Sequence, residues 1–210
     1  SLFGFCSNNS LCFYDFLGLT EIFYSSDVLA AITYLTDSAK AVTGENALAL
    51  PNPKGRVVSE DITEVCDEDC HPKGVRYVAT VTIKATTDVA PAAVSLPKWG
   101  NPSTSEVERE LFRQVYKLVL EHEQEHVRIW NKYMDKLLVE YVGVYESCAD
   151  NGIINCAKEN AEEKMGEAYR KLAEQFITEN NDFQKRDETT GRHKRVEALI
   201  EDYKRKRNEQ

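Results

Sequence analysis

Long apolar runs are missing from this sequence, since no stretch approaches the roughly 20 apolar residues that a membrane-spanning helix requires. The sequence therefore predicts no transmembrane segment. Positive charge is also scarce, with 26 lysines and arginines against 35 aspartates and glutamates, which gives a net charge of -9. This acidic balance argues against binding to nucleic acid. The run over residues 1–16 lacks the positively charged start of a targeting segment.

The remaining composition is that of a protein with a buried core. Hydrophobic residues make up 42% of the 210 residues, which is enough for one domain over residues 1–210. Residues 1–102 form the β-rich half. Residues 40–75 contain most of the turn signals and are expected to form loops around a short strand. The clearest strand is Val75 to Thr87, in which apolar and polar residues alternate. We also expect a short helix near the start of this half, from Ser25 to Thr36.

Residues 103–210 have apolar residues at three- and four-residue spacing, which predicts helices. The first is expected to run from Ser103 to about Cys148. The second begins near Ala157, weakens at residues 180–182 and breaks at residues 189–191, before a last short helix. The predicted fold class is α+β: a small β-rich N-terminal half packed on a long helix and an antiparallel helical hairpin.

Six cysteines fall in three local pairs: Cys6 with Cys12, Cys66 with Cys70, and Cys148 with Cys156. This pattern predicts three small disulfide loops and an oxidising compartment, so a secreted or periplasmic protein. The connectivity stays open, because six cysteines allow 15 arrangements. A zinc site using Cys66, Cys70 and His71 is the rival interpretation, although their three-residue acidic spacer does not match the usual two-residue zinc knuckle.

Histidine is scarce, and two of the four stand four residues apart in the sequence His122-Glu123-Gln124-Glu125-His126. On a helix both side chains point to the same side, one turn apart. Both imidazoles can then bind one zinc ion, and Glu123 can act as general base on a zinc-bound water. This is the HExxH signature of zinc peptidases. Glu125 also creates the inverse motif, but Glu123 is the preferred base.

A glutamate-rich helix can also place two histidines at this spacing on a solvated face. An apolar band formed by Leu118, Ile129 and Tyr133 on the histidine side argues against that interpretation. Histidines on a buried face need polar partners, and a metal ion would supply one.

A catalytic zinc site needs three protein ligands and an open fourth position, so a third ligand must be found beside His122 and His126. If Cys148 and Cys156 close a tight hairpin, residue 122 faces residue 182, which brings three acids near the site: Glu179, Asp182 and Asp187. A chain that turns at residues 189–191 could instead bring in His193. His193 is favoured, since a third imidazole completes a known catalytic set, and the three carboxylates stay open.

The order Leu96-Pro97-Lys98-Trp99, then HEQEHVRIW, then an acid–threonine–histidine segment resembles a bacterial family. It is the family of predicted secreted zinc-dependent proteases, the domain of unknown function nine-two-two. The resemblance covers roughly residues 25–195, and its late segment would fall on Asp187, Thr190 and His193. This chain departs from the family there, with one more residue before the histidine and no glycine after it. The resemblance implies a peptidase without naming a substrate.

The sequence thus predicts a zinc-dependent hydrolase, a secreted or periplasmic metallopeptidase of zincin type that acts on a peptide or protein. His122, His126 and His193 would hold Zn²⁺, and Glu123 would be the catalytic base. The alternative is a non-catalytic, disulfide-stabilised interaction module with a structural or vestigial metal site. Trp99 is interpreted as a core anchor rather than as part of a substrate cleft.

Overall fold

A computed structural model describes residues 21–43 and 46–209 of the chain. Their contacts define two compact units, each built from separate stretches of sequence. Among the described residues, unit 1 comprises residues 21–43, 46–47, 91–127 and 185–209, and unit 2 comprises residues 48–90 and 128–184. The expected single domain over residues 1–210 stays a prediction, and the Cys6–Cys12 pair lies outside the described residues.

The fold mixes helices and strands, so the α+β class is confirmed. The helices are α1 (Val28–Ser38), α2 (Glu106–Leu137), α3 (Ile153–Thr190) and α4 (Arg192–Asn208). The strands are β1 (Ile22–Phe23), β2 (Lys40–Thr43), β3 (Asn46–Ala47), β4 (Lys54–Cys66), β5 (Val75–Thr86), β6 (Ala92–Ser95), β7 (Lys98–Trp99) and β8 (Glu140–Ser147). Among the described helices, none combines the length and apolar character that crossing a bilayer requires.

The core of unit 1 is formed by one face of α1 and one face of α2, on which buried residues recur every three or four positions. Asp27 caps the start of α1 by accepting a hydrogen bond from the Leu29 backbone N–H. The core residues come from α1, α2, α4 and the segment before β7: Val28, Ile32, Leu35, Leu96, Leu111, Val115, Val119 and Val196. Two small sheets, β3-β2-β6 and β1-β7, complete the unit.

Trp99 is a core anchor of unit 1, as expected. Its ring packs on Phe112 with centroids 4.9 Å apart. Its indole N–H donates to the Ser25 carbonyl oxygen at 2.5 Å. The polar end of this partly buried side chain is therefore satisfied, which is what a tryptophan packed against a core requires.

Unit 2 is a three-stranded antiparallel sheet in the order β4-β5-β8, with α3 on one face. Alternate residues of β5 are buried, as its sequence predicts. They pack against small and flexible residues of α3, among them Ala157, Ala161 and Met165. Gly143 in β8 allows the closest approach, because a Cβ at this position would overlap the Ala157 carbonyl oxygen and lie 2.5 Å from the Ala161 nitrogen.

Three expected elements differ from the structure. The first long helix ends at Leu137 rather than near Cys148, and residues 140–147 form β8 because β-branched residues around Gly143 favour a strand paired with β5. Residues 54–66 form one long strand, where loops around a short strand were expected. No weakening appears at residues 180–182, since α3 continues to Thr190. The predicted break at residues 189–191 is confirmed.

The disulfide of unit 2 joins Cys70 to Cys148, so the predicted local pairs Cys66–Cys70 and Cys148–Cys156 are wrong. The sheet register explains the pairing: Tyr77 of β5 lies opposite Ser147 of β8, which places Cys148 beside the turn that carries Cys70. Cys66 and Cys156 are free thiols. The rival zinc site at Cys66, Cys70 and His71 is wrong too, because Cys70 has no thiolate to offer. No local disulfide therefore closes the connection between α2 and α3. In the sequence, strand β8 lies between these two helices.

The disulfide pattern can be tested by alkylating the native protein and mapping peptides without reduction. For the four cysteines within the described residues, we expect one cross-linked peptide pair containing Cys70 and Cys148, with Cys66 and Cys156 alkylated once the chain is unfolded. A peptide that links Cys66 to Cys70, or Cys148 to Cys156, would contradict the structure.

Gly143→Ala should destabilise the protein by roughly 1–3 kcal/mol, because the added methyl group meets backbone atoms of α3 that cannot yield cheaply. Urea unfolding monitored by circular dichroism measures the change. Gly166→Ala is the matched control, since nothing lies within 4 Å of a Cβ there. Because position 166 lies inside α3, this control should raise the free energy of unfolding by about 0.5–1 kcal/mol. Equal stability of the two variants would contradict the close packing of β8 on α3.

Candidate metal centre

His122 and His126 lie one turn apart on the part of α2 that belongs to unit 1. His122 is buried and His126 is half-buried. Their Nε2 atoms are 3.1 Å apart, and the two rings meet edge to face. The HEQEH spacing therefore brings two imidazole nitrogens to one point, as the helical periodicity predicts.

This separation fits a shared zinc ion. Zinc binds imidazole nitrogen at about 2.0–2.1 Å with tetrahedral angles, which puts two ligating nitrogens about 3.3 Å apart. The observed 3.1 Å is close to that value. The donor atoms are neutral nitrogens of borderline softness, which is the donor type that zinc prefers in catalytic sites.

Asp187, near the end of α3, is hydrogen-bonded to the other ring nitrogen of His122, Nδ1. Its Oδ2 lies 2.8 Å from His122 Nδ1. Because a carboxylate accepts, the hydrogen-bond pattern assigns the proton of the neutral imidazole to Nδ1 and leaves the lone pair of Nε2 facing His126. Asp187 is 4% exposed, so this contact is shielded from solvent.

The second oxygen of Asp187 is occupied as well. Oδ1 accepts from the Arg192 backbone N–H at 3.1 Å and from the Arg192 guanidinium at 3.3 Å. Burial alone would raise the pKa of the Asp187 carboxyl, but the hydrogen bonds from Arg192 and His122 hold it below its ordinary value. The carboxylate is therefore ionised at neutral pH.

His193 joins the same cluster from the first turn of α4. Its ring centroid lies 5.2 Å from that of His122. Potential ligand atoms of His122, Asp187 and His193 all lie within 4.8 Å of one another. His193 is exposed, so the cluster has an open side. The chain turn that the sequence suggested at residues 189–191 does bring this histidine to His122.

Gly191 makes this turn sterically feasible. A Cβ on Gly191 would overlap Asp187 Oδ1 and lie 2.7 Å from the Asp187 Cα. Because Gly191 has no side chain, α4 can start directly against the Asp187 carboxylate in the last turn of α3.

Glu123 is also buried, at 8% exposure, and its Oε1 lies 4.0 Å from His122 Nε2. That distance is too long for a hydrogen bond. The carboxylate therefore stands beside the convergent nitrogens without binding His122, which is the place that a general base for a small molecule between them would occupy.

The other expected acids are not part of the cluster. Glu179 lies in unit 2, where its carboxylate accepts from Lys132 at 2.5 Å and from Tyr133 at 2.8 Å. The hydrogen bond from Lys132 holds the pKa of Glu179 below its ordinary value. Asp182 lies in unit 2 as well. The residue facing His122 is Asp187 rather than residue 182, because the register was counted across a tight hairpin, whereas the eight-residue strand β8 separates the two helices.

Arg192 is a site residue that the sequence analysis missed. Its guanidinium lies 3.3 Å from Asp187 Oδ1 and 3.5 Å from Glu121 Oε2, so it ties the start of α4 to α2. The only sequence signal was its place between the glycine of the break and His193.

The site and the fold define an α+β protein with a candidate metal centre of histidines and a supporting carboxylate. The chain belongs to the family described as bacterial protein of unknown function (DUF922), whose model matches residues 67–194, more than half of the chain. The resemblance to this domain family is thus confirmed. No curated protein and no solved structure matches the chain.

Gly191→Ala should lower the free energy of unfolding by roughly 1–3 kcal/mol, because the new methyl group displaces the Asp187 carboxylate or the start of α4. Urea unfolding of the metal-free protein measures this loss. Gly166→Ala again serves as the control. A Gly191→Ala protein as stable as the wild type would mean that Asp187 does not approach this backbone closely.

Proposed function

We propose that this protein is a zinc-dependent hydrolase, specifically a secreted or periplasmic metallopeptidase of zincin type. The observation that carries the proposal is the 3.1 Å approach of the Nε2 atoms of His122 and His126, with His193 beside His122. Three imidazoles are one of the known ligand sets for catalytic zinc.

His122, His126 and His193 would hold the zinc, and the exposed side at His193 would leave a fourth position for water and substrate. A bound zinc ion would supply Lewis acidity, which polarises a carbonyl group and lowers the pKa of a coordinated water towards 7. Asp187 is less suited to be the third ligand, since both of its oxygens already accept hydrogen bonds.

Glu123 is the residue that would take the proton of the attacking water. Its carboxylate is buried beside His122 and makes no hydrogen bond to that imidazole. After attack on a peptide carbonyl, the same carboxyl group can return the proton to the leaving amine. A peptide or protein is the proposed substrate, because HExxH at this spacing is the signature of zinc peptidases.

The compartment is supported by the covalent structure. The disulfide between Cys70 and Cys148 is compatible with an extracellular location, since disulfides persist in oxidising environments. We therefore place the proposed activity outside the cytosol.

Metal analysis and a pair of glutamine variants test the proposal. Wild-type protein prepared with zinc available should hold about one zinc per chain, and His122→Ala should lose it. Glu123→Gln should keep the zinc and lose about 10²–10⁴-fold in the rate of hydrolysis of a fluorogenic peptide library. Glu125→Gln is the matched control, because it makes the same change two residues away and should keep most of the activity.

A wild-type protein without zinc would refute the proposal. If zinc binds but Glu123→Gln and wild type behave alike, the centre is a structural metal site and the alternative of a non-catalytic interaction module gains support. Loss of activity in Glu125→Gln alone would move the base to the inverse motif.

A further inference from the structure

We propose that Asp187 is a positioning residue of the metal centre, which fixes the ligating nitrogen of His122 and the start of the helix that carries His193. The inference rests on the proposed function, since it concerns the same centre. It differs from the ligand role that the sequence left open for this aspartate.

The first part of the argument is the tautomer of His122. Asp187 Oδ2 accepts from His122 Nδ1 at 2.8 Å in a buried setting. A neutral imidazole with its proton on Nδ1 has its lone pair on Nε2, and this is the atom that points at His126 Nε2. A carboxylate behind a histidine ligand fixes the ring orientation and raises its basicity.

The second part is the start of α4. Gly191 is the N-cap residue of α4 and makes no side-chain cap hydrogen bond. Asp187 supplies the missing acceptor from the preceding helix, because its Oδ1 accepts from the backbone N–H of Arg192, the first residue of α4. A carboxylate at a helix N-terminus is favourable for the helix dipole. His193 follows Arg192 directly, so this hydrogen bond sets the place of the third histidine.

The third part is the balance of charge. Two or three imidazoles around a divalent cation leave its charge uncompensated, and the positive end of α4 adds to it. The ionised Asp187 carboxylate lies behind His122, where it offsets both positive charges without occupying a ligand position. If Asp187 instead bound the metal through Oδ2, the same oxygen would serve both the metal and His122 Nδ1, which would weaken the hydrogen bond that orients the ring.

Asp187→Asn is the sharpest variant, because it keeps the shape and removes one acceptor. The amide oxygen can still accept from Arg192, while the amide nitrogen then faces His122 and cannot accept from Nδ1. His122 should therefore move its proton to Nε2, the atom required for the metal. We expect zinc affinity to fall about 10- to 100-fold, as for other residues that support a metal ligand.

Three measurements make the test. Competition with a chromophoric chelator gives the zinc dissociation constant, and far-UV circular dichroism checks that the variant is folded. Long-range ¹H–¹⁵N spectra of the metal-free protein, at a pH where imidazole is neutral, give the tautomer of His122 in wild type and variant. Glu188→Gln is the control, since it removes an exposed carboxylate next to Asp187 and should change neither affinity nor tautomer.

The proposal is supported if wild-type His122 is the Nδ1–H tautomer, and if Asp187→Asn both shifts the tautomer and weakens zinc binding. It is overturned if wild-type His122 carries its proton on Nε2, a result that needs no variant to fold. It is also overturned if Asp187→Asn binds zinc as tightly as Glu188→Gln, and the proposed hydrolase then still stands. If the wild type binds no zinc, the proposed function fails, while the tautomer alone decides whether Asp187 orients His122.

Discussion

The hydrogen bond between His122 and Asp187 is the contact on which the geometry of the candidate centre depends. It joins α2 to the end of α3 at 2.8 Å in a buried place. The same carboxylate also holds the first backbone N–H of α4. Burying a charge is costly unless each lone pair finds a donor, and here both oxygens do. One buried acid thus fixes two of the three histidines.

The features predictable from sequence are those set by local periodicity. The four-residue spacing of His122 and His126 determines their convergence once the helix forms. Alternation over residues 75–86 determines strand β5, and the Thr-Thr-Gly sequence at residues 189–191 marks the end of α3. In each case the residues that decide the structure are neighbours along the chain.

What the sequence could not show depends on pairing between distant residues. Strand β8 forms because residues 140–147 find β5 as a partner, although they follow a long helical pattern. That pairing also brings Cys148 to Cys70, 78 residues away, in place of the nearer Cys156. The role of Asp187 also depends on contacts between residues that are distant in the sequence. Its identity as acceptor for His122 depends on a helix register that β8 shifts, and on a glycine whose missing side chain makes room.

The central claim is that three histidines, and not an aspartate, complete a zinc site in this protein. A crystal structure of the zinc-loaded protein, with data collected at the zinc absorption edge, tests it most directly. We expect one anomalous peak at about 2.0–2.1 Å from a ring nitrogen of each of His122, His126 and His193, with Asp187 still bound to His122 Nδ1. A peak ligated by Asp187 in place of His193, or no peak between His122 and His126, would contradict the account.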